Sequence, residues 1–371
     1  MKILHITGFY NREVSYQENL IPLGEKKLGN KVYILTSDLN PKYDVSNKYT
    51  AGVERHHLPI IRIKTRFSIK GIPVMYIPLS LIKRINPDVI FMHDVNPYTI
   101  QIVLMHHFGL LGGAKLFWDC HSEVGKDNKN FLIRRYNTLF RYFFRVFGAK
   151  IKIYYGVAPE CCAFIKEVYG IPDDKIKLLP LPSVKNVLSE QEIVSVKNKF
   201  GISKEKKILL HSGKLPGNKR TSLVIKAFER LPEETFELLV TGSLEQSFSD
   251  DNKTFFAREN VNYLGWLDPS ELRNVISACD ILIQPGSLSN TFIDALCSGT
   301  PIILADTAQG RFLTSNNNGD LVSKNCCDLN LFDSIMRVIS QLSQYKKNAA
   351  VVANKFDYLE IAKGTTNDYI S

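Results

Sequence analysis

Residues 207–228 read KILLHSGKLPGNKRTSLVIKAF: a short apolar run that stops at Gly213, a basic loop through Lys219 and Arg220, then a helical pattern. A buried strand that turns through glycine into a helix opens a parallel βαβ unit rather than a hairpin. The same rhythm recurs on both sides of this stretch. Downstream come FELLVTG (236–242), VNYLGW (261–266), DILIQPG (280–286) and PIILAD (301–306), and upstream KILHI (2–6), KVYILT (31–36), PDVIFMH (87–93) and AKLFWD (114–119). Between the two series, YGIPDDKIKLLPLPSV carries three prolines and no helical period, which sets a domain edge near residues 183–205. A length of 371 residues also fits two domains. The expected fold is therefore α/β, two Rossmann-like doubly wound domains facing each other across a cleft. They occupy 1–185 and 186–355, and a helix over 356–371 crosses back to the first domain to bury Phe356, Tyr358 and Ile361. In LDPSEL, Asp268 reads as an N-cap, Pro269 as the first helical residue and Glu271 as its capping-box partner.

Composition excludes several classes. Apolar residues make up 44% and charged residues 23%, without low-complexity runs or short repeats, so disorder and solenoids are set aside. MKILHITGFY reads as a buried strand and not as a signal peptide, and no segment reaches the roughly 20 consecutive apolar residues of a spanning helix. Seven cysteines, none in a Cys-x-x-Cys pair, fit a reduced, cytoplasmic setting. Charge is uneven: residues 1–185 sum to +12 and residues 186–371 to −2, within a total of +10. A basic half suits nucleic acid, an anionic membrane surface or an acidic acceptor. Nucleic acid is the weakest of these, because no recognition motif accompanies the charge.

Two stretches carry chemistry. At 211–228 a glycine turn feeds a helix N-terminus, whose unpaired N–H groups and positive dipole end suit anionic oxygens. Lys214, Lys219 and Arg220 surround the same spot, enough charge to hold a diphosphate as leaving group without a metal. A solvated loop with ordinary lysines fits the spacing equally well. At 280–303 a buried strand, a polar loop with Ser287, Ser289, Asn290 and Thr291, and a helix bearing Asp294 follow one another. The carboxyl ends of such strands bind ligands, and a carboxylate there can take two ribose hydroxyls. Asp294 also reads as a simple helix-dipole partner.

Gly213-Lys214 with Lys219 five residues on resembles the Gly-Arg…Lys signature of the family 4 glycosyltransferases of GT-B fold. Asp294-Ala-Leu-Cys-Ser-Gly-Thr-Pro301 is similar to their Glu-Ala-x-x-x-Gly-x-Pro run. Val261–Trp266, Ala278-Cys279-Asp280, Asn318–Val322 and Tyr169–Pro172 extend the likeness over nearly the whole chain. The resemblance implies a retaining transfer from a nucleoside-diphosphate sugar, with acceptor binding in the first domain and donor binding in the second. It needs no protein nucleophile and no metal. Lys214 stands where the family has a phosphate-binding Arg, Lys219 matches the family Lys, and Asp294 takes the place of the second Glu of Glu-x7-Glu. The first Glu is replaced by Gly286. His121, in FWDCHSE, falls at the family's active-site histidine, so His121, Lys214 and Lys219 are the implied catalytic set. Gly8, Gly213, Arg220, Ser289, Asn290, Thr291 and Asp294 are the donor-binding set.

The family's paired glycines after the first strand are reduced to Gly8, so Tyr10, Arg12, Tyr16 and Gln17 become acceptor candidates, with His93 and Asp94 after PDVIFM. The implied setting is bacterial cell-surface polysaccharide or glycolipid synthesis on the inner face of the plasma membrane, with a glycan or lipid-linked acceptor. In NFLIRRYNTLFRYFFRVF (130–147), Arg134, Arg141 and Arg145 share one helical stripe, opposite Tyr136, Phe140, Phe143 and Phe147. With Arg62, Lys64, Arg66 and Lys70 they offer peripheral attraction to an anionic leaflet. Two alternatives stay open: a sugar-nucleotide epimerase or phosphorylase on the same fold, and a non-catalytic sugar-nucleotide-binding scaffold, the latter because of Gly286.

Overall fold

The strand order of each half explains where its ligand-facing loops gather. In the computed structural model, which describes all residues except 13, 40–48, 56, 70–71, 124–130 and 288, the chain divides into two units. Met1–Pro182 with Tyr358–Ser371 forms the first and Ser183–Asp357 the second. The divisions thus fall after Pro182 and Asp357, against 185 and 355 read from the sequence.

The first unit contains β1 (Lys2–Ile6), β2 (Lys31–Ser37), β3 (Gly52–Arg55), β4 (Pro59–Ile63), β5 (Phe67–Ile69), β6 (Ile72–Val74), β7 (Val89–Met92), β8 (Lys115–Cys120), β9 (Ile151–Gly156) and β10 (Ile176–Leu178). Eight of them make one sheet in the order β10-β9-β8-β7-β1-β2-β4-β3, parallel except for β3 on β4, while β5 and β6 pair separately. The buried residues of β1, β7 and β8 lie on both faces and are apolar but for His5 and Asp119, as in central parallel strands when helices cover each side. The order reverses between β1 and β7, so the loops that leave the carboxyl ends of those two strands head to opposite sides of the sheet and leave a crevice.

Aromatic side chains close one face. The Phe131–Phe147 helix buries Phe140 and Phe144, and Phe144 stacks tilted on Trp118 and edge-on to Tyr169, with ring centroids 5.3 and 5.4 Å away. Tyr136 and Phe143 pack alongside, and Tyr136 donates its hydroxyl to the Val95 carbonyl at 3.1 Å. On the other face the Tyr358–Ile370 helix lies against the Gln17–Lys27 helix so closely that a Cβ on Gly24 would sit 2.6 Å from the Ala362 methyl. Tyr358 and Ile361 are buried there. Phe356 is not part of this helix. It ends the preceding Leu342–Phe356 helix in the second unit and meets Phe312 edge-on at 6.1 Å, because the chain leaves helical geometry at Asp357 between the two.

The second unit holds β11 (Lys207–Leu215), β12 (Phe236–Leu244), β13 (Val261–Gly265), β14 (Ile281–Gln284), β15 (Ile302–Ala305) and β16 (Gly319–Val322). They form one parallel sheet, β13-β12-β11-β14-β15-β16, which reverses between β11 and β14. Asp268 caps the Pro269–Ser277 helix by accepting the Ser270 and Glu271 N–H groups at 2.8 and 3.1 Å, and the Glu271 amide hydrogen bond leads the effects that hold its carboxyl down at about 2. Glu271 pairs with Lys199 at 2.7 Å.

Candidate functional site

The second unit's crevice is built by glycine. β11 runs past Gly213 to Leu215, two residues farther than the sequence indicates. Gly213 has a φ of 139°, and a Cβ there would lie 2.8 Å from Cε of Lys219, so the Lys219 stem passes directly over it. In β14's loop, a Cβ on Gly286 would land on the Asn218 carbonyl oxygen and 2.8 Å from Lys219 Cα. These bare positions let the Gly217–Lys219 turn settle on the strand ends. Ser287 N–H donates to the Asn218 carbonyl at 2.8 Å, and Lys219 Nζ donates to the Ser287 carbonyl at 2.7 Å.

Lys219 is 7% exposed, and burial pulls its ammonium down to about 8. Lys214 stays exposed on β11. The Thr221–Phe228 helix begins two residues after Lys219, and no side chain caps its N-terminus. Beneath that start lies His211, which the sequence reading passed over. Burial lowers its pKa to about 4, so the ring is neutral. It donates from Nδ1 to the Ile283 carbonyl at 2.8 Å, which leaves Nε2 to accept from the Thr221 hydroxyl at 3.1 Å. Arg220 departs from the expected mobile charge. Its guanidinium donates to the carbonyls of Lys324 and Cys326 at 2.9 and 2.8 Å, tying down the loop before the Asp328–Ser340 helix.

Gln284, fully buried at the end of β14, donates to the Ser212 carbonyl at 2.5 Å and accepts the Ser289 hydroxyl at 3.1 Å. Ser289 is thereby held near Thr291, 3.3 Å away, at the start of the Thr291–Cys297 helix that Asn290 precedes. Asp294, in the first turns of that helix, accepts the Ser183 hydroxyl, and burial pushes its carboxyl up to about 6. Ser289, Asn290, Thr291 and Asp294 thus all sit on the carboxyl side of β14, as do Gly213 and Lys219 of neighbouring β11.

The first unit's crevice is filled with titratable side chains. His93, just past β7, places Nδ1 2.7 Å from Asp119 Oδ2 and Nε2 3.0 Å from His5 Nδ1. His5 Nε2 in turn lies 2.7 Å from Glu25 Oε2. Burial opposes a charge on His93, but Asp119, Glu18 and Glu25 together outweigh it and raise the pKa, while at Asp119 burial is outweighed by His93, His121 and the Asp94 N–H together, which lower that one. Burial wins at His5 and lowers its pKa against the pull of Glu25. His121, 39% exposed, has Nε2 3.8 Å from Asp119 Oδ1.

The acceptor candidates separate. Tyr10 is a core residue, its ring packed with Ile21 and Ile34 and its hydroxyl pushed by burial up to about 12, so it is not available to a substrate. Gln17 is buried and committed to Asp119 at 2.9 Å. His93 is likewise spoken for on both nitrogens. Arg12, 3.7 Å from Glu54, and Tyr16 and Asp94 remain at the surface. Asp94 has a φ of 59° and donates its N–H to Asp119 Oδ1 at 2.8 Å. Gly8 accepts the Ser37 hydroxyl at 2.5 Å, and a Cβ there would meet Pro73 Cγ at 3.2 Å. His5 and Glu25 escaped the sequence reading, although Glu25 stands four residues after Ile21 on the buried face of its helix, where a carboxylate demands a partner.

Of the basic residues, Arg62 is buried, donating to Glu54 and lying over the Tyr49 ring at 3.7 Å, so it adds nothing to a surface field. Lys64 and Arg66 are exposed, while Lys70 and Asn130 lie outside the described residues. Among the described residues no helix is long and apolar enough to cross a membrane.

Residues 194–354 match the family model for glycosyl transferases group 1. An uncharacterized glycosyltransferase of Methanocaldococcus jannaschii is 24% identical over 219 residues, 54% of this chain and 55% of its own length, so the chain spans about half of that curated relative. Among solved structures, HepE of Anabaena in complex with UDP superposes with a TM-score of 0.71 at 14% identity, covering 99% of both chains. WaaG, a glycosyltransferase involved in lipopolysaccharide biosynthesis, gives 0.67 at 15% identity, covering 98% of both. Likeness at such identities is likeness of fold, and the fold is GT-B.

Proposed function

We propose, from the premise that residues 194–354 carry a group 1 glycosyltransferase domain, that this chain is a retaining glycosyltransferase moving a sugar from a nucleoside diphosphate to a hydroxyl. One observation carries the reading: the β11/β14 crevice combines a buried lysine, an uncapped helix start and glycine at each close approach. That combination suits a diphosphate. Lys219 and Lys214 neutralise it as it departs, the N–H groups of Thr221 and its neighbours take its oxygens, and Asp294 receives the ribose hydroxyls. The departing phosphate accepts the acceptor's proton on the face from which it left, which preserves configuration without a protein nucleophile or a metal. His121 hydrogen-bonds a sugar hydroxyl.

The test is a panel of UDP-, GDP-, ADP- and TDP-sugars, followed by nucleotide release, thermal stabilisation and product analysis. Transfer to an added acceptor with retained anomeric configuration is expected. Conversion of the donor with no acceptor present would make it an epimerase, and tight binding without turnover would make it a scaffold.

The acceptor we infer is lipid-linked, used at an anionic membrane in cell-surface polysaccharide or glycolipid synthesis, a setting like that named for WaaG. What supports it is the outer face of the Phe131–Phe147 helix. Arg134, Arg135, Arg141 and Arg145 are exposed there beside Leu132, Leu139, Tyr142 and Val146, and that helix carries no acidic residue. Basic charge is worth on the order of 1 kcal/mol per residue near an anionic leaflet. Vesicle co-sedimentation should show recovery with anionic but not neutral lipid, weakened by salt; equal recovery on both points to a soluble acceptor.

A further inference from the structure

The polar groups behind His121 form one unbroken chain across the first unit. Tyr369 and Thr365, on the C-terminal helix, donate their hydroxyls to Glu25 Oε1 at 2.8 and 2.9 Å. Glu25 Oε2 meets His5 Nε2 at 2.7 Å, His5 Nδ1 meets His93 Nε2 at 3.0 Å, and His93 Nδ1 meets Asp119 Oδ2 at 2.7 Å. Asp119 Oδ1 then faces His121. Glu25, His5 and Asp119 are wholly buried, so water replaces none of these contacts.

With Glu25 and Asp119 both ionised, counting hydrogens gives the charge. Each carboxylate then only accepts, so His5 Nε2 and His93 Nδ1 both carry hydrogen. Between the rings one nitrogen donates and the other accepts, which needs a third hydrogen. Two neutral imidazoles supply two. The pair therefore holds one proton more than neutrality, placed on His5 Nδ1 or His93 Nε2 and able to pass between them without any atom moving far. Losing it would set a buried lone pair against a buried carboxylate or against the other ring.

We propose that His5 and His93 share one excess proton clamped between Glu25 and Asp119, and that this buried cation fixes the Asp119 carboxylate, which in turn holds the His121 ring for sugar transfer. Glu25, His5 and His93 are thus positioning residues. The raised pKa of His93 and the lowered one of His5 put the charge mainly on His93. The facing carboxylates agree in sign: Asp119, Glu18 on the Gln17–Lys27 helix and Glu25 all favour the proton on His93, and His93 and His121 both lower the Asp119 carboxyl. The positioning role rests on the glycosyltransferase reading; the shared proton does not.

The experiment uses the full chain labelled with ¹⁵N-histidine, in which long-range correlation reads the protonation of each ring nitrogen. Wild type is expected to show three hydrogens on the four nitrogens of His5 and His93 at neutral pH. In Glu25→Gln, where one of the charges holding the proton is gone, two are expected. Two hydrogens in wild type would overturn the shared proton. With a donor that turns over, Glu25→Gln should lose about ten- to a hundredfold in kcat, as a misplaced reacting group does, with donor KM unchanged and the alkaline limb of the kcat profile moved to lower pH. Tyr369→Phe, which removes one hydrogen bond to Glu25 and keeps the packing, should shift the same limb less, and it carries the test if Glu25→Gln does not fold. Unchanged kcat and profile in a folded variant would overturn the positioning role. A chain with no transferase activity would sink the proposed function and the positioning role together, while the ring spectrum still decides the proton.

Discussion

The two crevices share one topology and opposite contents. Each lies where a parallel strand order turns back on its first strand, β1 against β7 and β11 against β14. In the second unit the strand ends are stripped to Gly213, Gly242 and Gly286, so backbone and one lysine line the space. In the first, His5, His93, Asp119 and Gln17 fill it, each hydrogen-bonded to the next. A doubly wound sheet only guarantees an opening at the reversal. Whether the opening receives an anion or presents oriented hydrogen-bonding groups is decided by a handful of side chains.

The largest effect should come from emptying the second crevice of its charge. Lys219→Ala is expected to lower kcat by about 10²- to 10³-fold, the cost of removing a donor aimed at developing charge. Steady-state kinetics with Tm as control checks it. A loss below about threefold would return Lys219 to the role of a loop strut on Ser287. Filling the crevice should act next, through the fold. Gly286→Ala puts a Cβ on the Asn218 carbonyl and is expected to cost about 1–3 kcal/mol in denaturant unfolding, with weaker nucleotide binding as the 217–219 turn is displaced. Gly286→Glu, which restores the residue that the resembling family carries, should do the same or worse. An active, stable Gly286→Glu protein would show that the turn yields readily.

Much of this was legible in the sequence, and the failures have a common cause. Apolar runs bounded by glycine fixed nine strands to within a few residues, because a strand buried on both faces needs uninterrupted Ile, Leu and Val. Gly213 and Lys219 could be paired because they are close in sequence and belong to one turn. Partnerships made across the sheet were not readable: nothing in KILHI ties His5 to Glu25 or His93, and nothing in the basic loop reveals that Arg220 spends its guanidinium on carbonyls a hundred residues away. Tyr10 was misread for the same reason. A tyrosine in a polar loop looks exposed until the neighbouring helix and strand close over it.

The smallest expected effect concerns Asp294, and its sign separates a ligand group from a structural one. Burial raises this carboxyl to about 6 in the folded chain, above the ordinary value of 3.8. A group raised in this way favours the folded state while protonated, so its contribution is fully present below the unfolded value and is lost as pH rises through about 6. Stability should therefore fall between about pH 4 and about pH 7 by an amount on the order of 1–3 kcal/mol attributable to this one group. Asp294→Asn should remove that slope and leave the protein slightly more stable than wild type at neutral pH. Such a cost is kept only if the charge is used, and two ribose hydroxyls donate to an ionised carboxylate but not equally to an amide. Nucleotide affinity should accordingly rise in wild type across the same pH window in which stability falls, and should be weak and flat in Asp294→Asn. Parallel denaturant titrations and nucleotide titrations at several pH values read both curves. If affinity is flat in wild type as well, Asp294 serves the Ser183 hydroxyl alone and the second crevice holds its nucleotide without it.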